Sequence, residues 1–381
     1  MAVASSFTPR AILRAIDWAL VAPALTITML GLLTMHTFGA GASFAPKQVV
    51  WAIIAFAGYC FFAVADVRFI RRTPVVMTLY GFVTVLLLLL LVAAHPIMGA
   101  KSWFVVGGIS FQPADLAKLT LIALLAKYLS RRHIEIADWR HVLASGAYAG
   151  LFVLLVLVEP DLGMAVILGS IWLGLMLVSG ISKKHLAIIG ALLVATAIFL
   201  WFFGLKPYQR DRIVAFINPA ANVQGAGYNA YQAMIAVGSG ELFGKGIGYG
   251  TQSTLRFLPE YQTDFIFAAY AEEWGFVGII LLLALYALLL SRLFIIARNA
   301  GTNFDAFFTL GVAILFMAHI ALHAGINVGL LPITGTTIPF MSYGGSNLVM
   351  EFSALGIVTA LARHGRSVPR AAAHQEYDGG S

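Results

Sequence analysis

The segment LPEYQTDFIFAAYAEEWGF, residues 258–276, places Asp264, Glu272 and Glu273 in or beside a run apolar enough to cross a membrane. A carboxylate at membrane depth costs roughly 2.5–3.5 kcal/mol on insertion scales, so such groups line a polar cavity, pair with a cation or do chemistry. Asp264 follows Thr263 where a polar loop gives way to the apolar run. Its local pattern fits two roles. One is a helix N-cap, supported by the helix dipole. The other is a carboxylate at the edge of a low-dielectric cavity, where it suits general-base work. Glu272 and Glu273 lie roughly 12–13 Å further along a helix and are rotated by about 80° and 180° from Asp264. Only Glu272 can share the side of Asp264, and internal helix-to-helix bonding is the favoured reading for both.

Other charged residues form smaller constellations. In FQPADLAKL, residues 111–119, Asp115 and Lys118 stand three apart and share a helix face. They form an internal ion pair, or Lys118 is a point charge for a phosphate with Asp115 orienting it. Glu159 and Asp161 flank Pro160 in VEPDLGMA, as turn and cap residues first and as a cation site second. Arg210 and Arg212 in PYQRDRI can hold a diphosphate or touch lipid headgroups. Trp103, in GAKSWFVVGG, reads as a membrane-interface anchor. The glycine-rich GSGELFGKGIGYGTQS, residues 238–253, lacks the Gly-Lys-Ser/Thr ending of a nucleotide loop and reads as flexible backbone around a bound chain or headgroup. LLPITGTTIPFMSYGGSN, residues 330–347, is almost uncharged and reads as irregular backbone that closes the outer face.

The elements that must hold these groups are membrane helices. The chain has 381 residues, 60% hydrophobic and only 11% charged, against about 25% charged in soluble domains. Cys60 is the only cysteine, which excludes an intramolecular disulfide and a metal–thiolate site. Runs long enough to span a bilayer fall at about 17–38, 47–66, 73–94, 112–130, 142–159, 161–179, 184–204, 264–297, 305–328 and 345–363. The first is too long for a signal-peptide core. The eighth is longer than a span needs, so it tilts, projects, or bends near Gly275 or Gly278. Alternate connections collect 16 Lys and Arg residues on the side of both termini and 7 on the other. That asymmetry places both termini in the cytoplasm and explains the net charge of +7 without nucleic acid. The expectation is an all-α integral membrane protein of ten helices, a single domain over residues 1–366, with a large outer loop at about 205–263 between spans seven and eight. Residues 367–381 read as a disordered cytoplasmic tail.

Taken in order, these segments resemble the SEDS family (shape, elongation, division and sporulation), over about residues 15–365. The similarity is most specific in GAGYNAYQAMIAVGSG, LPEYQTDFIFAAYAEE and LLPITGTTIPFMSYGGS, and GTQS before FLPE is closer to the RodA branch than to the FtsW branch. The resemblance implies a peptidoglycan glycosyltransferase of the bacterial cytoplasmic membrane that polymerises lipid II on the outer face. It implies Asp264 as catalytic base, and Lys118 and Trp103 as substrate-binding residues; Asp115, Lys101, Arg210, Arg212 and Gln232 are further substrate-binding candidates. It further implies a divalent cation (Mg2+ or Mn2+) with Asp264, Glu159 and Asp161 as ligand candidates, no nucleotide, and a class B penicillin-binding protein and elongation-complex membrane proteins as partners. Two positions depart from the family pattern: Ala114-Asp115 stands in place of Ser-Glu, and Ser102 in place of an arginine before Trp103. The alternatives are a lipid II flippase, which needs a polar path across the bilayer, and a non-catalytic scaffold, which would leave Asp264 dispensable.

Overall fold

The computed structural model describes residues 13–38, 44–93, 102–106, 109–132, 138–205, 207–217, 227–255 and 257–365. Twelve helices carry the fold: α1 (Trp18–His36), α2 (Phe44–Val64), α3 (Thr73–Ala93), α4 (Pro113–Arg132), α5 (Trp139–Val158), α6 (Leu162–Val178), α7 (Lys183–Phe199), α8 (Pro207–Ile217), α9 (Tyr228–Ser239), α10 (Ile266–Arg298), α11 (Asn303–Asn327) and α12 (Gly345–Gly365). An antiparallel hairpin, β1 (Phe104–Val106) with β2 (Ile109–Phe111), precedes α4. Eight of the described helices are long and apolar enough to cross a membrane. The other two expected spans are α6, which is apolar but only 17 residues long, and α4, which carries Asp115, Lys118, Lys127 and Arg131. The chain is a multi-pass membrane protein. The expected tail, residues 367–381, lies outside the described residues.

Helix α11 packs against α10, α4, α6, α9 and α12, so it is the core element to which the site is fixed. α12 lies along α2, and α10 along α1. By contrast α7 buries none of its side chains. An ion pair of 2.7 Å joins Arg292 of α10 to Asp17 at the start of α1. Beyond the end of α1, Thr37 donates to Glu273 at 2.6 Å. These two contacts pin α10 antiparallel to α1 along its whole length.

They also correct the depth assigned to the two glutamates. α10 breaks at Gly275, whose φ of 66° and ψ of −166° are not helical. The part after the break is roughly 34 Å long, enough to span a bilayer alone. Glu272 and Glu273 therefore stand at the end of the span rather than inside it. Glu272 does not share a cavity with Asp264. Its Oε1 accepts from Lys245 Nζ at 2.6 Å and from the Thr251 N–H at 2.9 Å, and its Oε2 from the Gln252 N–H at 3.1 Å. Glu273 also accepts from the Gly248 N–H at 3.1 Å. The internal-bonding reading is right in kind, but the partners are the outer loop and Thr37.

The glycine-rich stretch is accordingly not a slack wrap. The N–H groups of Phe276 and Val277, freed by the break, donate to the carbonyls of Glu241 and Leu242 at 2.9 and 3.1 Å. A Cβ on Gly275 would overlap the Gly244 nitrogen and the Leu242 carbonyl oxygen. The backbone conformation is one that essentially only glycine adopts. Gly275→Ala is expected to lower stability by about 1–3 kcal/mol from backbone strain, with the overlap adding to it. Thermal unfolding of the purified protein in detergent measures the loss.

The expected outer loop is also more ordered than its composition implies, since it contains α8, α9 and a helical turn over Thr251–Thr254. The 330–344 segment differs again. It enters the bundle instead of capping it: Tyr286, well inside α10, donates to the Pro339 carbonyl at 2.6 Å, and Gly31 of α1 leaves no room for a Cβ beside the Met341 carbonyl.

Candidate active site

Asp264 sits where the start of α10, the end of α11 and the 330–344 segment meet. Phe265, not Asp264, occupies the N-cap position of α10. The Asp264 carbonyl accepts from Asn327 Nδ2 at 3.0 Å, and the same Asn327 side chain accepts from the Ala268 N–H at 3.1 Å. One residue earlier, the Thr263 carbonyl accepts from Ser342 Oγ at 2.9 Å. The Gln262 carbonyl accepts from the Tyr343 N–H at 2.8 Å. Backbone is thus held on three sides while the half-buried side chain stands beside Gly335, where a Cβ would come within 3.4 Å of Oδ2.

Two residues beyond Gly335, a buried polar network begins. Thr337 Oγ1 accepts from Asn347 Nδ2 at 3.2 Å, and Asn347 also donates to Glu351 at 2.7 Å. Lys118 Nζ donates to Asn347 Oδ1 at 2.8 Å and forms a 2.9 Å ion pair with Asp115. Ser346 Oγ donates to the other Asp115 oxygen at 2.9 Å. Lys118 and Asp115 are 2% and 1% exposed, which makes this a buried ion pair rather than a surface one. An ammonium has three donors, and two of those of Lys118 have these partners. The ion-pair reading of Asp115 and Lys118 is what the geometry shows, and pairing lowers the cost of burying both charges.

The network ends at the corner between α5 and α6. Gln112 Nε2 donates to Asp161 at 3.1 Å, and the second Asp161 oxygen caps α6 through the Met164 N–H at 2.9 Å. The turn reading of Asp161 is correct. Glu159 is different: it is fully buried and neither carboxylate oxygen has a hydrogen-bond partner. Among the described residues no group of three His, Cys, Asp or Glu can hold a metal ion. A magnesium ion, however, commonly uses one or two carboxylates together with substrate phosphates, and a carboxylate with open oxygens beside a second acid fits that need. Asp264 approaches the same segment from Gly335, while Gly163 of α6 abuts Thr334 and Thr336.

The remaining expected residues are not joined to this network by described contacts. Trp103 is half-buried just before β1. Arg210 of α8 donates to the Phe202 carbonyl at 3.2 Å. Gln232 is half-buried on α9, which packs against α10 and α11. Lys101 and the side chain of Arg212 lie outside the described residues. Conversely, Ser346, Asn347, Glu351, His319, His323 and Asn327 belong to the site region and were not singled out as site residues. Polar side chains at spacings of four in otherwise apolar helices were the available signal.

The fold and site define a polytopic membrane protein with the Asp264 carboxylate beside Gly335 and, two residues further along that segment, Thr337 bonded through Asn347 to a buried Lys118–Asp115 pair. Residues 11–367 match the cell cycle protein family of FtsW, RodA and SpoVE, and the chain belongs to this family. It is 37% identical over 289 residues to the peptidoglycan glycosyltransferase MrdB of Escherichia coli strain K12, covering 75% of this chain and 77% of that protein. It is 32% identical to stage V sporulation protein E of Bacillus subtilis strain 168 over 361 residues, 92% and 98% of the two chains. Among solved structures, a chain from a peptidoglycan synthase complex that coordinates polymerisation and crosslinking superposes with a TM-score of 0.78 at 31% identity, covering 92% of this chain and 99% of that one. Thermus thermophilus rod shape determining protein RodA superposes with a TM-score of 0.70 at 30% identity, covering 92% and 98%.

Proposed function

We propose that the chain polymerises lipid II into β-1,4 glycan strands on the outer face of the bacterial cytoplasmic membrane, for cell elongation and shape. It acts as a peptidoglycan glycosyltransferase. The observation that carries this reading is the connection from the Asp264 segment through Thr336 and Thr337 to buried Lys118, in a family whose members include named peptidoglycan glycosyltransferases. In the reaction, Asp264 takes the proton of the acceptor sugar 4-hydroxyl. The freed oxygen attacks the anomeric carbon of the donor strand, and the bond from that carbon to the lipid diphosphate breaks with inversion. Lys118 offsets the charge that develops on the diphosphate. Trp103, Lys101, Arg210, Arg212 and Gln232 remain proposed contacts to the rest of the substrate.

Mg2+ or Mn2+ belongs to the proposal, held by Glu159 with Asp161. When bound, it would add positive charge near the diphosphate. At a concentration 100-fold above its dissociation constant, a cation bound only by the folded protein stabilises it by about 2.7 kcal/mol. Mg2+ is therefore expected to raise the unfolding temperature of the wild type and to leave Glu159→Gln unmoved. An equal response from both proteins removes the cation from this corner.

The partner is a class B penicillin-binding protein, whose transpeptidase crosslinks the new strands, together with other elongation-complex membrane proteins. The solved complex that coordinates polymerisation and crosslinking supports this. So does the exposed apolar side of α10, including Val277, Ile280, Leu281 and Leu288, a surface on which a single span can pack. The deciding experiment supplies purified protein, with and without such a partner, with lipid II and Mg2+ or Mn2+, and resolves the products by length. Strands of many disaccharides support the reading. No polymer, with lipid II moved across vesicle bilayers instead, replaces it with a flippase.

A further inference from the structure

Three side chains on one face of α11 hold the site from beneath. His319, His323 and Asn327 are spaced by four residues, which stacks them along the helix. Each bonds to backbone in the site rather than to another side chain. His319 Nδ1 meets the Thr337 carbonyl at 3.0 Å, and His323 Nδ1 meets the Thr336 carbonyl at 2.7 Å. Asn327 Nδ2 meets the Asp264 carbonyl at 3.0 Å. A carbonyl oxygen can only accept, so both rings carry their proton on Nδ1 and donate it.

The residues held this way are the link between the two charged centres. Gly335, against Asp264, precedes Thr336, and Thr337 bonds Asn347, which bonds Lys118. His319 bonds the carbonyl of that same Thr337, two hydrogen bonds from Lys118. The three rungs therefore reach from the level of Lys118 to that of Asp264, a rise of about 12 Å along one rigid helix. The histidines carry a cost that simple packing would avoid. His319 Nε2 and His323 Nε2 are buried without hydrogen-bond partners, as are the hydroxyls of Thr334 and Thr336. An apolar side chain would leave no such acceptor, so burial alone does not account for two histidines here.

We propose that His319 and His323 are positioning residues that fix the Thr336–Thr337 backbone, and through it the placement of Asp264 relative to Lys118. This rests on the polymerase reading above. Positioning of reacting groups governs rate strongly, since a misplacement of about 1 Å can cost on the order of 100-fold.

The test compares leucine and asparagine at each histidine. Asparagine keeps an N–H donor close to the position of Nδ1, whereas leucine removes it. His319→Leu and His323→Leu are expected to lower kcat for lipid II polymerisation by about 10-fold or more, with KM within about 2-fold of wild type. His319→Asn and His323→Asn are expected to stay within about 3-fold of the wild-type kcat. Arg292→Gln, which breaks the ion pair with Asp17 far from the site, controls for lost stability and is expected to retain kcat. Wild-type rates in both leucine variants, or asparagine variants as slow as leucine, overturn the proposal. Hydrogen exchange over residues 333–342 provides a readout that does not depend on turnover. Faster exchange in the leucine variants and wild-type exchange in the asparagine variants support the ladder, while unchanged exchange in the leucine variants overturns it. A wild-type protein that makes no polymer refutes the polymerase reading, and the exchange result then still decides whether the ladder holds the link.

Discussion

Asp264→Asn is expected to stop glycan polymerisation while leaving the protein folded. Asparagine keeps the size and the backbone contacts of the aspartate, because Asn327, Ser342 and Tyr343 hold residues 262–264 through their carbonyls. The N-cap position of α10 belongs to Phe265 and is left unchanged. What is lost is the ability to accept the acceptor-sugar proton. General-base catalysis by a positioned group contributes typically 10²–10⁴-fold, so the turnover number should fall by at least about 100-fold. Polymer length on gels and the initial rate of lipid II consumption measure it, with the thermal unfolding midpoint recorded beside them. Polymerisation at the wild-type rate would refute the assignment and restore the scaffold reading. An inactive variant that also unfolds far below the wild type would show that Asp264 supports the structure instead.

The second large effect is expected at Lys118. Methionine has nearly the same length and no charge. Lys118→Met leaves Asp115 buried, with only Ser346 as a hydrogen-bond partner, and removes the donor to Asn347. Breaking a buried pair by deleting one member typically costs about 3–5 kcal/mol, most of it from the charge left behind. Polymerisation should fall together with stability. The combination with Asp115→Asn separates the two causes, because it removes the stranded charge. The double variant is expected to regain much of the lost stability but not the activity, since the cation for the diphosphate is still missing. Recovery of polymerisation in the double variant would show that the pair is a structural device and that the diphosphate is stabilised elsewhere.

The two assignments differ in how far they could be read before the fold was known. Asp264 was legible as a candidate because a carboxylate at the start of an apolar run is costly and therefore purposeful. Whether it stands at the N-cap was not legible, because the pattern Thr-Asp before an apolar helix is also what a cap looks like. Only the actual start of α10, at Ile266, gave the N-cap position to Phe265. The pairing of Asp115 with Lys118 followed from a spacing of three on a helix. Its connection to Asn347, Ser346 and Glu351 did not follow, since those residues lie more than 200 positions away in the chain. Glu272 and Glu273 were misplaced in depth for a definite reason. Rise per residue was counted along one straight helix measured from Asp264, whereas the membrane-crossing part of α10 begins only after the break at Gly275.

The glycine-rich loop and the 330–344 segment were misread in opposite directions. Glycine permits flexibility, but it also permits close backbone approach. Here the second use prevails, because Gly240 and Gly244 lie against the carbonyls of Ala271 and Glu273. Neutral composition in the 330–344 segment indicated burial correctly. It could not say that the buried backbone would become the bridge between Asp264 and Lys118, since a bridge is defined by what lies at both of its ends.

By itself the amino-acid sequence determined the membrane class, the positions of the eight described helices long and apolar enough to cross a membrane, the charge asymmetry and the short list of groups able to do chemistry. Each of these depends on local composition or on helical spacing, which act over a few turns. Tertiary structure decided which of those groups meet. It gave Glu272 and Glu273 to the outer loop, put Phe265 rather than Asp264 at the N-cap of α10, and set three rungs of α11 beneath the link to Lys118. The physical reason is that hydrogen bonds and buried ion pairs act at about 3 Å between atoms far apart in the chain, and only the packing of helices brings such atoms within that reach.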